Sequence, residues 1–301
     1  MGDSSVFGLL NIDKPAGYTS HDIVDIVRRG TGEKKVGHAG TLDPAATCVL
    51  VLCLGAATRL SEYVMGHTKT YQAIIKLGES TDTYDSEGEI TSRDDTPIQR
   101  EQFEAVLPQF KGAIQQIPPM YSAIKQDGEK LYEKARRGEE VEREARDVTI
   151  YRIQVDSFVY PETIVTIRCT PGTYIRSIAH DIGEALGVGA HLGGLIRIAS
   201  GENFTTGNAV PLRILEKDMA NGTWQKHLIS VREGLSQLPY IELNNQQEAI
   251  VRNGGIIQLG ISNRGPIQAW TDEHVFVAIM SRQGDEDASA EWRPDKVFHV
   301  E

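Results

Sequence analysis

The chain has 301 residues, 40% hydrophobic and 24% charged, which excludes a disordered tail protein, a collagen-like chain and a membrane protein. Its length suits a main domain with a smaller one beside it. With 31 basic against 42 acidic side chains the net charge is −11, so a generally basic face for nucleic acid is excluded and only a local patch is left for phosphates.

The segment Gly8 to Pro15 reads as a short strand stopped by proline. Thr19 and Ser20 then cap a helix with Ile23, Val24 and Val27 on one face and Gly30 past its end. Residues 31–47 are rich in Gly, Thr and Pro and predict a shaped loop, followed by the apolar run Val49 to Leu54. Tyr71 to Gly78 reads as a strand and Thr81 to Gly88 as a polar turn. Phe103, Val106, Leu107 and Phe110 follow helical spacing, with Pro108 distorting the last turn before Gly112. From Lys125 to Arg152 basic and acidic residues alternate, as on a solvated face. Thr163 to Thr170 alternates like a half-buried strand, and Pro171-Gly172-Thr173 turns the chain into a helix. Ile175, Ile178 and Ile182 share one face of that helix, which leaves Arg176 pointing elsewhere. Strands and helices mix without a βαβ rhythm, so the fold class is mixed α+β. Residues 201–237 lose strand periodicity, and Leu238 opens a run of short β-like segments. The boundary is therefore placed near residue 238, giving a main domain of residues 1–237 and a small β-rich accessory unit of residues 238–301.

Cys48, Cys53 and Cys169 sit among apolar residues without a C-x-x-C pair, as buried thiols of a reducing cytoplasmic compartment do. No secretory leader opens the chain, and no apolar run approaches the ~18 residues of a membrane helix. Phosphate-cradling, dinucleotide and metal-binding signatures are absent, and His180 and His191 lack metal-ligand spacing, so neither cofactor nor metal is expected. What remains is the loop around Asp43. An Asp-Pro pair also suits an Asx-turn, but Gly37 and Gly40 admit a bulky substrate and Thr41 and Thr47 add donors. An aspartate presented in this way acts as a nucleophile when a cation holds it ionised.

Gly37-His38-Ala39-Gly40-Thr41-Leu42-Asp43-Pro44-Ala45-Ala46-Thr47 resembles the catalytic loop of the bacterial tRNA pseudouridine synthase B family. The stretches Leu10 to Gly17, Lys69 to Tyr71, Thr81 to Asp85, Ile117 to Ala123, Gly172 to Arg176 and Gly189 to Arg197 match the same family in order. The resemblance implies a synthase core over residues 1–237, a PUA-like RNA-binding domain over 238–301, and isomerisation of uridine 55 in the TΨC arm of tRNA. By the resemblance Asp43 is the nucleophile, Arg176 pairs with it, and Tyr71 stacks on the flipped base, with general-base catalysis as a second role. Asp85 would hold Arg176 from behind, His38 would help extrude the base, and Leu195 would line the uracil pocket. Tyr174, Lys14, Gly40 and Thr41 complete the substrate-binding set. Lys14, Lys69, Lys125, Lys130, Arg136, Arg137 and Arg197 are the cations available for a basic groove. Cys48 stands where the family usually has glycine, so the backbone there must avoid positive φ or carry strain. The partner is the tRNA TΨC stem-loop, with no membrane and no obligate protein partner. The competing readings are a catalytically silent tRNA-folding factor and a guide-dependent synthase of ribosomal RNA, whose long basic extensions this chain lacks.

Overall fold

The computed structural model describes residues 6–121, 125–126, 129–130, 137, 141–284 and 290–299. Strand β1 (Phe7–Lys14) leads through helix α1 (Ser20–Thr31) and β2 (Val36–His38) to β3 (Thr47–Gly55), α2 (Ser61–Met65) and β4 (Lys69–Leu77). The hairpin β5 (Glu79–Thr81) and β6 (Ile90–Arg93) precedes α3 (Arg100–Val106), β7 (Gly112–Gln116) and the small pair β8 (Lys125–Gln126) and β9 (Glu129–Lys130). A long hairpin, β10 (Arg146–Val159) and β11 (Glu162–Cys169), is followed by α4 (Ile175–Leu186), β12 (Ala190–Ser200), β13 (Phe204–Thr205), β14 (Val210–Pro211), α5 (Leu212–Ala220) and α6 (Val231–Gly234). The chain closes with β15 (Tyr240–Leu243), α7 (Asn245–Arg252), β16 (Ile257–Leu259), β17 (Ile267–Thr271), β18 (Phe276–Gln283) and β19 (Ala290–Val297). Among the described residues no helix is long and apolar enough to cross a membrane.

The main sheet runs β14-β1-β3-β12-β4-β11-β10-β7, with β2 added to β3 and β13 to β12. It is mixed: β1 with β14 and β3 with β12 are parallel, and the other pairs are antiparallel. Strand β3 explains the layering. Its unbroken apolar run is buried on both faces, as the sequence requires of a central strand. Leu50, Leu52 and Leu54 pack with α1, α3, α4 and α5 on one side. Val49, Val51 and Cys53 pack on the other side with Phe204, Val231, Leu235, Trp270, Phe276 and Phe298.

Local signals behave physically. Thr19 caps α1 in a capping box, its Oγ1 accepting from Asp22 N at 3.1 Å while Asp22 Oδ2 accepts from Thr19 N at 2.8 Å. Gly30 does not stop α1, which runs on to the left-handed Gly32. Gly30 is a packing residue instead, since a Cβ there would lie 2.5 Å from Met219 Sδ of α5. Pro108 sits at the start of a 3₁₀ turn, Leu107–Phe110, where its missing N–H breaks no helical bond.

The C-terminal sheet runs β15-β17-β18-β19-β16 and has a core of its own around Leu243, Ile267 and Trp292. It is more than an accessory unit, because its Trp270, Phe276, Ile279 and Phe298 complete the second core of the main sheet. The Phe7 ring lies 5.6 Å from those of both Phe276 and Phe298, and the Arg59 guanidinium lies 4.5 Å above Phe298. Gln268 Nε2 donates to the carbonyls of Leu235 and Leu238, each at 2.9 Å.

Candidate active site

The loop that carries Asp43 is held by donors from beneath. Arg197 of β12, 1% exposed, donates from Nε to Val49 O at 2.7 Å, from Nη1 to Thr41 O at 3.3 Å and from Nη2 to Gly40 O at 3.1 Å. Lys14, at the end of β1, gives its ammonium to Pro15 O at 3.0 Å, Tyr18 O at 2.7 Å and Pro44 O at 3.0 Å. Ser20 Oγ accepts from Leu42 N at 2.8 Å, and Ala39 N donates to Val51 O at 2.8 Å. Gly40 has φ +117°, a conformation that side chains avoid, and a Cβ there would face Arg197 Nη1. Buried carbonyls of an irregular loop need donors, and a lysine or an arginine supplies several from one side chain.

This placement corrects the reading of Lys14, Lys69 and Arg197 as phosphate-binding cations. All three are buried, and their donors go to the protein's own carbonyls. Lys69 closes the end of α2, donating to Met65 O at 3.1 Å and His67 O at 2.9 Å. Burial lowers Lys69 to about 7, with Arg197 adding to the effect. Burial likewise lowers Lys14 to about 8, while the Asp43 charge pulls it back up. The side chains of Lys125, Lys130 and Arg136 lie outside the described residues. Exposed Arg137 pairs with Glu129 at 2.8 Å.

The structure brings Asp43, Arg176 and Asp85 together. Arg176 enters from the first turn of α4, on the side away from the isoleucine face. Its Nε lies 3.3 Å from Asp43 Oδ2, its Nη1 lies 3.0 Å from Asp85 Oδ2, and its Nη2 donates to Tyr121 O at 2.9 Å. The Arg176 side chain is 8% exposed and that of Asp43 44%, so the carboxylate faces solvent over a buried permanent cation. Asp85 is fixed in turn, Oδ1 accepting from Thr83 Oγ1 at 2.6 Å and from Glu87 N at 3.0 Å. Tyr84, at φ 65°, stacks on His180 with ring centroids 3.9 Å apart. His191 is structural, its Nδ1 lying 3.0 Å from Glu79 O.

The other candidates surround this centre to different degrees. Tyr71 of β4 is buried, paired in register with Arg197 of β12, and burial pushes its phenol pKa up. His38 ends β2 half-buried, and burial, helped by the Arg197 charge, pushes its pKa down. Leu195 is half-buried against the principal core, and Thr41 is exposed. Tyr174 immediately precedes α4, and its backbone is clamped by Gln116, which accepts from Tyr174 N at 2.8 Å and donates to Tyr174 O at 3.0 Å. Gln116 and Ser20 were not legible as site residues, since neither type announces a partner distant in sequence.

The comparisons with known proteins agree with this geometry. Residues 28–175 match the model of the TruB family pseudouridylate synthase, N-terminal domain, and residues 176–235 match the tRNA pseudouridylate synthase B C-terminal domain. The tRNA pseudouridine synthase B of Dehalococcoides mccartyi is 44% identical over 293 residues, 97% of this chain and 96% of the relative. That of Geobacillus thermodenitrificans is 43% identical over 284 residues, 90% of this chain and 93% of the relative. A chain in the crystal structure of a Cbf5-Nop10-Gar1 complex superposes with a TM-score of 0.76 at 26% identity, covering 97% of this chain and 85% of that one. Fold and site together define a pseudouridine synthase, an RNA-modifying isomerase with a PUA-like C-terminal unit. Within that class the chain belongs to the TruB family of tRNA pseudouridylate synthases.

Proposed function

We propose that the protein converts uridine 55 in the TΨC arm of tRNA to pseudouridine, with Asp43 as the nucleophile and without metal or cofactor. The observation that carries this reading is the half-exposed Asp43 carboxylate backed by buried Arg176. Isomerisation detaches the base, turns it and rejoins it through carbon, and in this reading Asp43 holds the nucleotide covalently while the glycosidic bond is broken. Asp43 is reachable from solvent, and a guanidinium beside it cannot lose its charge when the bound RNA displaces water. The target base must leave the stack, at a cost of a few kcal/mol that pocket contacts offset. Tyr71 serves as the stacking platform. General-base catalysis is its second role in this reading. Leu195 and Tyr174 line the pocket, Asp85 orients Arg176, and His38 helps extrude the base. Residues 1–237 form the catalytic domain and residues 238–301 the RNA-binding one. The enzyme is cytoplasmic and works without an obligate protein partner.

The test is to incubate an unmodified tRNA transcript with the pure protein in excess chelator and map pseudouridine. Modification at position 55 alone is expected. Modification at another site, or only after a protein or metal is added, contradicts the proposal.

A further inference from the structure

Tyr18 is an aromatic side chain that neither the core nor the chemistry above uses. It lies in the turn between β1 and α1, 40% exposed, between Gly17 at φ +86° and the cap residue Thr19. Among the described residues no ring stacks on it and no group bonds its hydroxyl. Its backbone is nonetheless fixed. The Tyr18 carbonyl accepts from the Lys14 ammonium at 2.7 Å, and the same ammonium donates to Pro44 O at 3.0 Å. Gly17 N also donates to Pro44 O, at 2.9 Å. A bare aromatic residue is thus anchored through one buried lysine to the residue that follows Asp43.

The surroundings select the ligand. Ala16, Gly17, Pro44 and Ala45 are exposed and uncharged, while Lys14, the nearest cation, has spent its donors on carbonyls. The Asp22 carboxylate, bound to Thr19 N and Oγ1, lies at the start of the adjoining helix and repels phosphate. An exposed, uncharged surface beside an aromatic ring, with the Lys14 donors already engaged, suits a nucleobase rather than the backbone. Once a uridine is flipped toward Asp43, its neighbours in the strand lose a stacking partner. We propose that Tyr18 stacks on a nucleobase adjacent to the flipped uridine and holds the strand at the rim of the site. The proposal rests on the reading of Asp43 as the reacting group.

Stacking on an aromatic side chain is sequence-tolerant, and its removal costs on the order of fivefold to a hundredfold in affinity. At this solvent-exposed rim Tyr18→Ala is expected to raise KM for tRNA by about fivefold to tenfold, with the loss in KM rather than in kcat. Tyr18→Phe is expected to behave as the unaltered enzyme. Trp224, Trp270 and Trp292 are all buried, so Tyr18→Trp introduces an exposed fluorophore whose emission the TΨC stem-loop should quench and shield from iodide. An unchanged KM in Tyr18→Ala overturns the proposal, as does a Tyr18→Phe as impaired as the alanine variant, or emission that RNA leaves untouched. If Asp43→Asn still turns over, the reading of the site fails, whereas the quenching measurement continues to report on Tyr18 separately.

Discussion

One guanidinium serves three partners in this site. Arg176 reaches Asp43, Asp85 and the Tyr121 carbonyl at once, from a side chain that is almost wholly buried. Lysine has three donors against the five of a guanidinium, and they radiate from one atom and cannot span two carboxylates and a carbonyl in a plane. Arg176→Lys should therefore lower the rate of pseudouridine formation by about a hundredfold or more, and lower stability by about 1–3 kcal/mol because one of the acceptors, Asp85 or the Tyr121 carbonyl, loses its donor. Single-turnover kinetics and denaturant unfolding check this, and near-normal turnover would show that Arg176 does not serve Asp43. That Asp43 and Arg176 lie together was expected from the family motifs that carry them, not from either residue taken alone. The surroundings of Lys14, Lys69 and Arg197 were not. Charge alone reads as surface, and nothing local says that loop carbonyls nearly 160 residues away in the chain, at Gly40 and Thr41, need the Arg197 donors.

Elements show the same division between local and distant causes. The cap at Thr19, the turn at Pro108 and the strand from Glu162 to Cys169 follow from neighbouring residues and were legible. Gly30 was misread as a stop because its cause is Met219 on another helix. Cys48 carries the strain that the sequence posed as one alternative. It lies in β3 at φ 76°, paired with Lys14 on one side and Arg197 on the other, and burial pushes its thiol up to about 11. A side chain in this region costs about 1–2 kcal/mol, against the ~0.5–1 kcal/mol by which glycine normally weakens a strand. Cys48→Gly should thus be at least as stable as Cys48→Ala in denaturant titration. A glycine variant weaker than the alanine variant by about 1 kcal/mol would mean that the strand relieves the strain elsewhere.

At the scale of the whole molecule, the main sheet is covered on one face by helices and on the other partly by the C-terminal unit. The shared core was not legible in the sequence, because β3 reads as a buried strand whatever covers it. Removing residues 238–301 would take Trp270, Phe276, Ile279 and Phe298 out of the second core, each contributing ~1.5–3 kcal/mol when buried, which approaches the ~5–15 kcal/mol of a whole domain. The fragment is expected to lack a cooperative thermal transition by circular dichroism. A soluble fragment melting within a few degrees of the full chain would show that the unit is dispensable for folding. With a net charge of −11, the proposed function has tRNA held by local contacts and assigns the chemistry to one carboxylate. Asp43→Asn separates the two, since it keeps the shape and removes the proposed nucleophile. The decisive measurement is tRNA affinity and single-turnover pseudouridine formation on one preparation of this variant. Affinity within a few-fold of the unaltered enzyme, with a rate lower by on the order of a thousandfold or more, is expected. Pseudouridine formed at close to the original rate would contradict the account.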